Sequence, residues 1–374
     1  MKLRNYKVDK WLLITVLLFC LISVFTIGSA QELIGVSDLM KRQVIWYLIG
    51  FGLIILIMKI KNDFFIKYSW IFYIVSLVLL GLLLIFGSKV NGARCWFSIP
   101  GIGTFQPSEF VKIILILTLA SMINKFNDKY PNPSCFEEFI FIFKVLIVVM
   151  IPSILTFLQP DTGVVLIYLL ITFVMLFISG IRYRWFVVAF VILGVAIGSV
   201  VFIYFYSQDL FIKVFGTSFF LRVDRLLDWS NSSGYQLENG LAAIGSGGLL
   251  GYGLNNTPIY FPEPQTDFIF AVYASNFGFV GSLFLLSLIA FFDIKFVCLA
   301  IKTNNNINKY IISGIIGMLI YQQVQNIGMT IGLLPITGIT LPFISYGGSS
   351  LLSYMLMLGF IFNISNEVIR DKNK

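Results

Sequence analysis

The sequence predicts an all-α polytopic membrane protein, a bundle of about ten transmembrane helices with both termini in the cytoplasm. The first observation is composition: of 374 residues, 58% are hydrophobic and 12% are charged, whereas soluble domains are about half apolar and about a quarter charged. The second is that apolar windows of about 20 residues, the length that crosses a bilayer core, recur along the chain. The third is an unequal distribution of Lys and Arg between alternate connections.

The composition excludes several classes of protein and site. A chain this apolar, with a mean hydropathy of +0.91, is not a soluble enzyme, a disordered chain or a nucleic-acid-binding domain. It has no His, which excludes a Ser-His-Asp triad, a His proton relay and zinc or haem bound by His. Its four Cys lie far apart and form no CxxC pair, so neither a disulfide framework nor a thiolate metal site is indicated.

Ten windows qualify as spans. They are, approximately, residues 11–30, 43–60, 65–87, 109–125, 139–158, 162–180, 185–206, 268–293, 309–334 and 348–366. The first follows a basic segment, as a signal peptide does, but its apolar run is longer than a typical signal core and no small-residue cleavage site follows. We therefore expect it to remain as an anchor, and we treat residues 1–374 as a single integral membrane domain.

The positions of Lys and Arg select the orientation. With the N-terminus inside, the cytoplasmic segments hold 18 of the 26 Lys and Arg, the outer segments hold 7, and Lys112 lies within a span. The positive-inside rule therefore favours cytoplasmic N- and C-termini. This orientation puts one large extracellular loop at about residues 207–266 and shorter outer loops at about 88–108 and 335–347. Loops of such length are usually functional, so we expect the chemistry at the outer face.

Two segments of the large loop allow alternatives. The Gly-rich stretch 240–253 has neither the spacing nor the Lys of a nucleotide-binding loop, and we expect a flexible or closely packed loop. Residues at about 208–229 place several apolar side chains near one helical face. That pattern predicts either an interfacial helix on the outer leaflet or a helix packed on the bundle.

Polar residues cluster where the even-numbered spans begin, which is the outer face in this orientation. Glu109 and Lys112 begin the fourth span with the i, i+3 spacing of an ion pair, Asp161 begins the sixth, Asp267 the eighth and Ser349 the tenth. Ionisable residues in or beside a membrane are functional candidates by default. Asp and Ser are also favoured helix caps, so for Asp161, Asp267 and Ser349 a purely local role stays open.

The cluster has the chemistry of a phosphate site. Helix N-termini present unpaired N–H groups and a partial positive charge, which suit phosphate or pyrophosphate. Arg94, in the outer loop before the fourth span, adds a guanidinium whose fork geometry matches phosphate oxygens. We see no acidic cluster that requires a metal, and a divalent cation such as Mg²⁺ or Mn²⁺ is left open.

Several of these motifs together resemble the SEDS family (shape, elongation, division and sporulation), whose members include RodA and FtsW. The matching stretches, in family order, are residues 91–112, 159–163, 234–253, 261–272 and 326–352. The last, NIGMTIGLLPITGITLPFISYGGSSLL, is long and highly specific. The ten-span pattern covers essentially the whole chain.

The resemblance implies an activity and partners. SEDS proteins are peptidoglycan glycosyltransferases that polymerise lipid II at the outer face of the bacterial cytoplasmic membrane. They work with a class B penicillin-binding protein and other membrane proteins of the elongation complex, and no nucleic-acid partner is implied. The compact length and short tails resemble the RodA elongation type, with a division or sporulation paralogue as the alternative.

The resemblance also assigns residues. By motif position Asp267 is the essential acid, and Arg94, Glu109, Lys112, Asp161 and Ser349 match polar residues around the family's central cavity. We expect Asp267 to act as general base, since the chain offers no His for that role.

We expect Arg94 and Lys112 to bind pyrophosphate, and Glu109 to hold Lys112. The rival functions are a lipid II flippase and a non-catalytic scaffold. Against a flippase, the polar residues crowd one face and the halves of the sequence show no repeat.

One departure from the family pattern follows TDFIFAV. Many relatives carry an acidic pair there, whereas this chain has Ser275 and Asn276. If the acidic pair contributes to the cavity or to a cation site, this chain lacks that contribution.

Overall fold

The computed structural model describes residues 8–90, 93–99, 103–217, 219–220, 223 and 234–371, and most of them lie in helices. The helices are α1 (Lys10–Ile34), α2 (Leu39–Ile60), α3 (Asn62–Lys67), α4 (Ser69–Phe86), α5 (Pro107–Lys129), α6 (Cys135–Leu158), α7 (Thr162–Ile178), α8 (Arg184–Tyr206), α9 (Gln208–Phe215), α10 (Tyr235–Ser246), α11 (Ile269–Lys302), α12 (Asn306–Thr330) and α13 (Gly348–Asp371). Each of the ten predicted windows coincides with a helix, which confirms the polytopic helical fold.

The helices differ in how apolar they are. Among the described residues, seven helices are long and apolar enough to cross a membrane, namely α1, α2, α4, α6, α8, α11 and α13. Helix α7 is equally apolar but has only 17 residues. Helices α5 and α12 are long enough but carry buried polar side chains, such as Glu109, Lys112 and Gln322. Both pack against several other helices, and a span surrounded by protein rather than lipid can face polar groups inward.

Helix α11 runs nine residues beyond the predicted end at 293. The prediction stopped where Asp293 and Lys295 interrupt the apolar run, but both side chains have partners in the bundle. Gln323 of α12 donates to Asp293 at 3.2 Å, and Lys295 pairs with Asp9 at 2.9 Å. These partners let the helix continue through two charged positions.

Helix α11 is also broken at Gly278, whose backbone (φ 64°, ψ −160°) is not helical. The turn after α10 fills the break. Tyr252 N–H donates to the Ser275 carbonyl at 3.0 Å, and Phe279 N–H donates to the Gly248 carbonyl at 2.9 Å. A Cβ at Gly251 would lie 2.2 Å from the Asn276 carbonyl oxygen, so this approach requires glycine. The expected loop over 240–253 is thus corrected in part: residues 240–246 belong to α10, and 247–253 form a closely packed turn. Ser275 and Asn276 are buried at the junction.

A small antiparallel sheet lies in the outer loop before α5, where the sequence predicted only a connection. Its strands are β1 (Ser88–Val90), β2 (Ala93–Ile99) and β3 (Gly103–Phe105), in the order β1-β2-β3. Strand β2 pairs Phe97 with Phe105 and Ile99 with Gly103. The strands are short, so their two-residue alternation is too brief to separate from a loop in the sequence.

Helices α8 and α9 form a peripheral unit. Among the residues of α8 only Tyr204, near its end, is buried, and the main helical contact of α8 is with α9. Phe211 of α9 is fully buried against Tyr204 and Val223. The amphipathic segment therefore packs on the end of α8 rather than on the central helices, while residues 218, 221–222 and 224–229 of that segment lie outside the described residues.

Candidate active site

A cavity of about 640 Å³ lies at one end of the bundle. It is lined by the first turns of α2, α5 and α13, the residues on either side of the start of α7, and the segment before α11. Strands β2 and β3 and residues 337–340 complete the wall. The even-numbered spans were predicted to begin on one side of the membrane, and in the structure the beginnings of these helices line one cavity. Which side of the membrane this is remains a prediction from the charge distribution.

Four of the six predicted site residues line this cavity: Glu109, Asp161, Asp267 and Ser349. Lys112 lies one turn deeper in α5, fully buried, with its Nζ 2.7 Å from Glu109 Oε2. Arg94 is not among the lining residues, and its Nη1 donates instead to the Leu84 carbonyl at the end of α4, at 3.1 Å. The structure thus brings Cys95 and Trp96 of this strand to the cavity wall and does not bring Arg94 there, while the role of Arg94 in binding pyrophosphate stays a prediction.

Glu109 and Lys112 form a buried ion pair. Lys112 Nζ also lies 5.4 Å from the centre of the Tyr354 ring, and Ser353 Oγ is 3.5 Å from Glu109 Oε2. Gln322 Nε2 donates to the Tyr354 hydroxyl at 2.9 Å. Burying either charge alone is costly, and here the two side chains are buried as a pair at the cavity floor. The prediction that Glu109 holds Lys112 agrees with this geometry.

Asp161 caps a helix and also faces the cavity. Its Oδ1 accepts from Val164 N–H at 3.2 Å, which is an N-cap of α7, and its Oδ2 accepts from Gln106 Nε2 at 2.9 Å. Burial raises the pKa of Asp161 to about 6, against the lowering effect of these hydrogen bonds. Asp161 can therefore cap α7 and also face a ligand in the cavity.

Ser349 connects three segments of the cavity wall by hydrogen bonds. Its Oγ accepts from Gln106 N–H at 2.9 Å and donates to the Thr104 carbonyl at 3.3 Å. These bonds join the start of α13 to the end of β3 and the start of α5. The side chain thereby fixes the cavity wall.

Asp267 differs from these residues. No described residue donates a hydrogen bond to its carboxylate, and it does not cap α11, whose N-cap is Phe268. The alternative of a simple helix cap is therefore wrong for Asp267. Burial, and to a lesser extent the nearby charge of Glu263, raise the pKa of Asp267 to about 7. A carboxylate whose pKa lies near neutral pH can exchange its proton with a ligand.

The cavity is also lined by Arg42, Trp46 and Glu263, which were not predicted as site residues. Arg42 lies in the first turn of α2 and is exposed. The signal was available, because the second span is even-numbered and begins with KRQVIW. Arg42 was instead counted as part of an outer loop, and its position on a helix was therefore not predicted.

Within the described residues, no three Asp, Glu, Cys or His side chains are close enough to hold a metal ion together.

Comparison with known proteins identifies the family. The model of the FtsW, RodA and SpoVE cell cycle proteins matches residues 7–369. The chain belongs to this family. It is 32% identical over 379 residues to a probable peptidoglycan glycosyltransferase FtsW of Coxiella burnetii, covering 97% of each chain. It is 32% identical over 353 residues to stage V sporulation protein E of Bacillus subtilis, covering 87% of this chain and 86% of the relative.

Solved structures agree with this fold. A chain in a peptidoglycan synthase complex, described as coordinating polymerization and crosslinking, superposes with a TM-score of 0.80 at 27% identity, covering 97% of this chain and 99% of that one. The rod shape determining protein RodA of Thermus thermophilus superposes with a TM-score of 0.70 at 27% identity, covering 97% and 98%. Both likenesses span the whole helical bundle of this family member.

Proposed function

We propose that this family member is a peptidoglycan glycosyltransferase that polymerises lipid II into glycan strands at the outer face of the bacterial cytoplasmic membrane. Relatives about 32% identical over most of the chain carry the name peptidoglycan glycosyltransferase, which supports the activity. The structural observation that carries the proposal is Asp267, a cavity carboxylate with a raised pKa to which no described residue donates a hydrogen bond.

In the proposed reaction, a sugar hydroxyl of one lipid-linked unit attacks the anomeric carbon of another. The new glycosidic C–O bond forms as the bond from that carbon to the pyrophosphate oxygen breaks, and undecaprenyl pyrophosphate leaves. Asp267, in its ionised form, accepts the hydroxyl proton. A general base works best when its pKa lies near the working pH, and a pKa of about 7 meets this condition.

The leaving pyrophosphate needs positive charge, and the geometry favours Arg42 over Arg94 for this role. Arg42 lines the cavity, whereas Arg94 is directed to the Leu84 carbonyl. The N-termini of α5, α7 and α13 add partial positive charge. Lys112 contributes from below the floor, where Glu109 neutralises much of its charge.

The cell process is proposed separately from the chemistry. We propose the elongation role of the RodA type, supported by the likeness to the Thermus thermophilus RodA structure. A division or sporulation role is the second candidate, because several similar curated relatives are named FtsW or stage V sporulation protein E. Depletion separates them: loss of an elongation enzyme gives round cells, loss of a division enzyme gives filaments, and loss of a sporulation enzyme spares growth.

A class B penicillin-binding protein is the proposed partner, by analogy with the structure that joins polymerization and crosslinking. The test is lipid II polymerisation by purified protein in liposomes, with and without this partner. We expect glycan chains from the wild type. Movement of labelled lipid II between leaflets without any polymer would instead identify a flippase. If neither polymer nor lipid movement is seen, even with the partner, a scaffold role would be favoured.

A further inference from the structure

The position of the Asp267 carboxylate depends on the main chain that carries it, because no described residue donates a hydrogen bond to that carboxylate. Three hydrogen bonds from other segments hold this main chain. Tyr346 N–H donates to the Gln265 carbonyl at 2.8 Å. Ser345 Oγ donates to the Thr266 carbonyl at 2.6 Å, and Asn326 Nδ2 donates to the carbonyl of Asp267 itself at 2.9 Å.

Asn326 makes a second hydrogen bond, to a segment on the other side of the Asp267 carboxylate. The same Nδ2 donates to the Ile339 carbonyl at 2.7 Å. Ile339 follows Gly338, a cavity residue so close to Asp267 that a Cβ added there would lie 3.7 Å from Oδ2. One amide nitrogen has two hydrogens, so a single neutral group can join the two segments on either side of the carboxylate.

The helix that presents Asn326 is enclosed by other helices at this point. Asn326 is fully buried in α12, and Thr330 Oγ1 donates to the Asn326 main-chain carbonyl at 2.7 Å. Helix α12 packs against α5, α7 and α11, so its side chains have a fixed frame. Site geometry supported by a packed helix is more exact than geometry left to a loop.

We infer that Asn326 is a positioning residue for the reaction, which fixes the Asp267 carboxylate by joining the Asp267 and Ile339 carbonyls. The inference rests on the proposed function of Asp267 as general base. It predicts that loss of the amide leaves substrate binding largely intact but displaces the base. A displacement of about 1 Å at a reacting group can cost about a hundredfold in rate.

The test compares Asn326→Leu with a matched control, Gln325→Leu, in the lipid II polymerisation assay. The two amides are neighbours on α12, both are buried and neither lines the cavity, but Gln325 donates to the Pro335 carbonyl at 2.8 Å instead of to the Asp267 and Ile339 carbonyls. Each variant is assayed for kcat, KM, thermal midpoint and the pH of half-maximal rate. Asn326→Ala serves as the second variant if the leucine does not fit.

For Asn326→Leu we expect kcat to fall at least about tenfold with KM changed less than about threefold. We also expect the pH of half-maximal rate to fall, because a carboxylate released from its place becomes more hydrated. Gln325→Leu should keep the wild-type rate and pH profile at a comparable thermal midpoint.

Near wild-type kcat in a folded Asn326 variant, or equal losses in both variants with an unchanged pH profile, would overturn the inference. An inactive wild type would instead count against the proposed function.

Discussion

At the scale of single residues, the chemistry depends on surroundings that the sequence does not display. Asp161 and Asp267 are both acids at span beginnings. Only the structure separates them, because Asp161 accepts two hydrogen bonds while no described residue donates to the Asp267 carboxylate. The motif located both residues, but hydrogen bonding is set by segments distant in the chain, such as Gln106 for Asp161.

The raised pKa of Asp267 predicts a pH dependence. The base must be ionised, so the ionised fraction and the rate should rise through a pH of about 7 and level off above it. Glu263→Gln should move this midpoint to lower pH, because it removes a neighbouring negative charge that raises the pKa. Initial rates of lipid II polymerisation between about pH 5.5 and 8.5 provide the measurement. A rate that falls with pH over this range would contradict the assignment.

The buried pair of Glu109 and Lys112 predicts non-additive stability. Lys112→Met should cost about 3–5 kcal/mol, because it leaves the Glu109 carboxylate buried without its partner. The double variant Glu109→Gln, Lys112→Met should recover much of this loss of stability. Thermal unfolding of the three proteins in detergent measures the difference. A double variant less stable than Lys112→Met would show that the pair is not coupled in this way.

At the scale of elements, spans were easier to predict than their junctions. A run of apolar residues is a local property, so each of the ten windows coincided with a helix in the described chain. The break at Gly278 and the docking of Gly248 and Gly251 into it depend on residues nearly 30 positions apart. The composition of 240–253 allowed either a flexible or a packed loop, and only the backbone hydrogen bonds decided between them.

This docking predicts the effect of adding one methyl group. Gly251→Ala should lower the thermal midpoint and the activity, since its Cβ would lie 2.2 Å from the Asn276 carbonyl oxygen and φ is +75°. Gly245→Ala is the matched control, because Gly245 lies within α10 and has nothing within 4 Å of an added Cβ. The control should be neutral or slightly stabilising. Equal behaviour of the two variants would show that the turn does not pack in the break.

At the scale of the whole molecule, the charge distribution predicts which way the cavity faces. Cys135 is exposed at the beginning of α6, in a connection predicted to be cytoplasmic, and Lys41 is exposed near the cavity end of α2. A membrane-impermeant maleimide should label Lys41→Cys in intact cells and Cys135 only after permeabilisation. Labelling of Cys135 in intact cells would reverse the topology and place the cavity in the cytoplasm.

The most direct test of the central claim compares two aspartates of this chain. Asp267→Asn removes the proposed base, while Asp293→Asn changes an acid of α11 that bonds Gln323 and does not line the cavity. Both proteins are reconstituted with lipid II and the length of glycan products is measured. We predict no polymer from Asp267→Asn and wild-type polymer from Asp293→Asn, with both proteins folded. Polymerisation by a folded Asp267→Asn at the wild-type rate would contradict the assignment of Asp267 as the base.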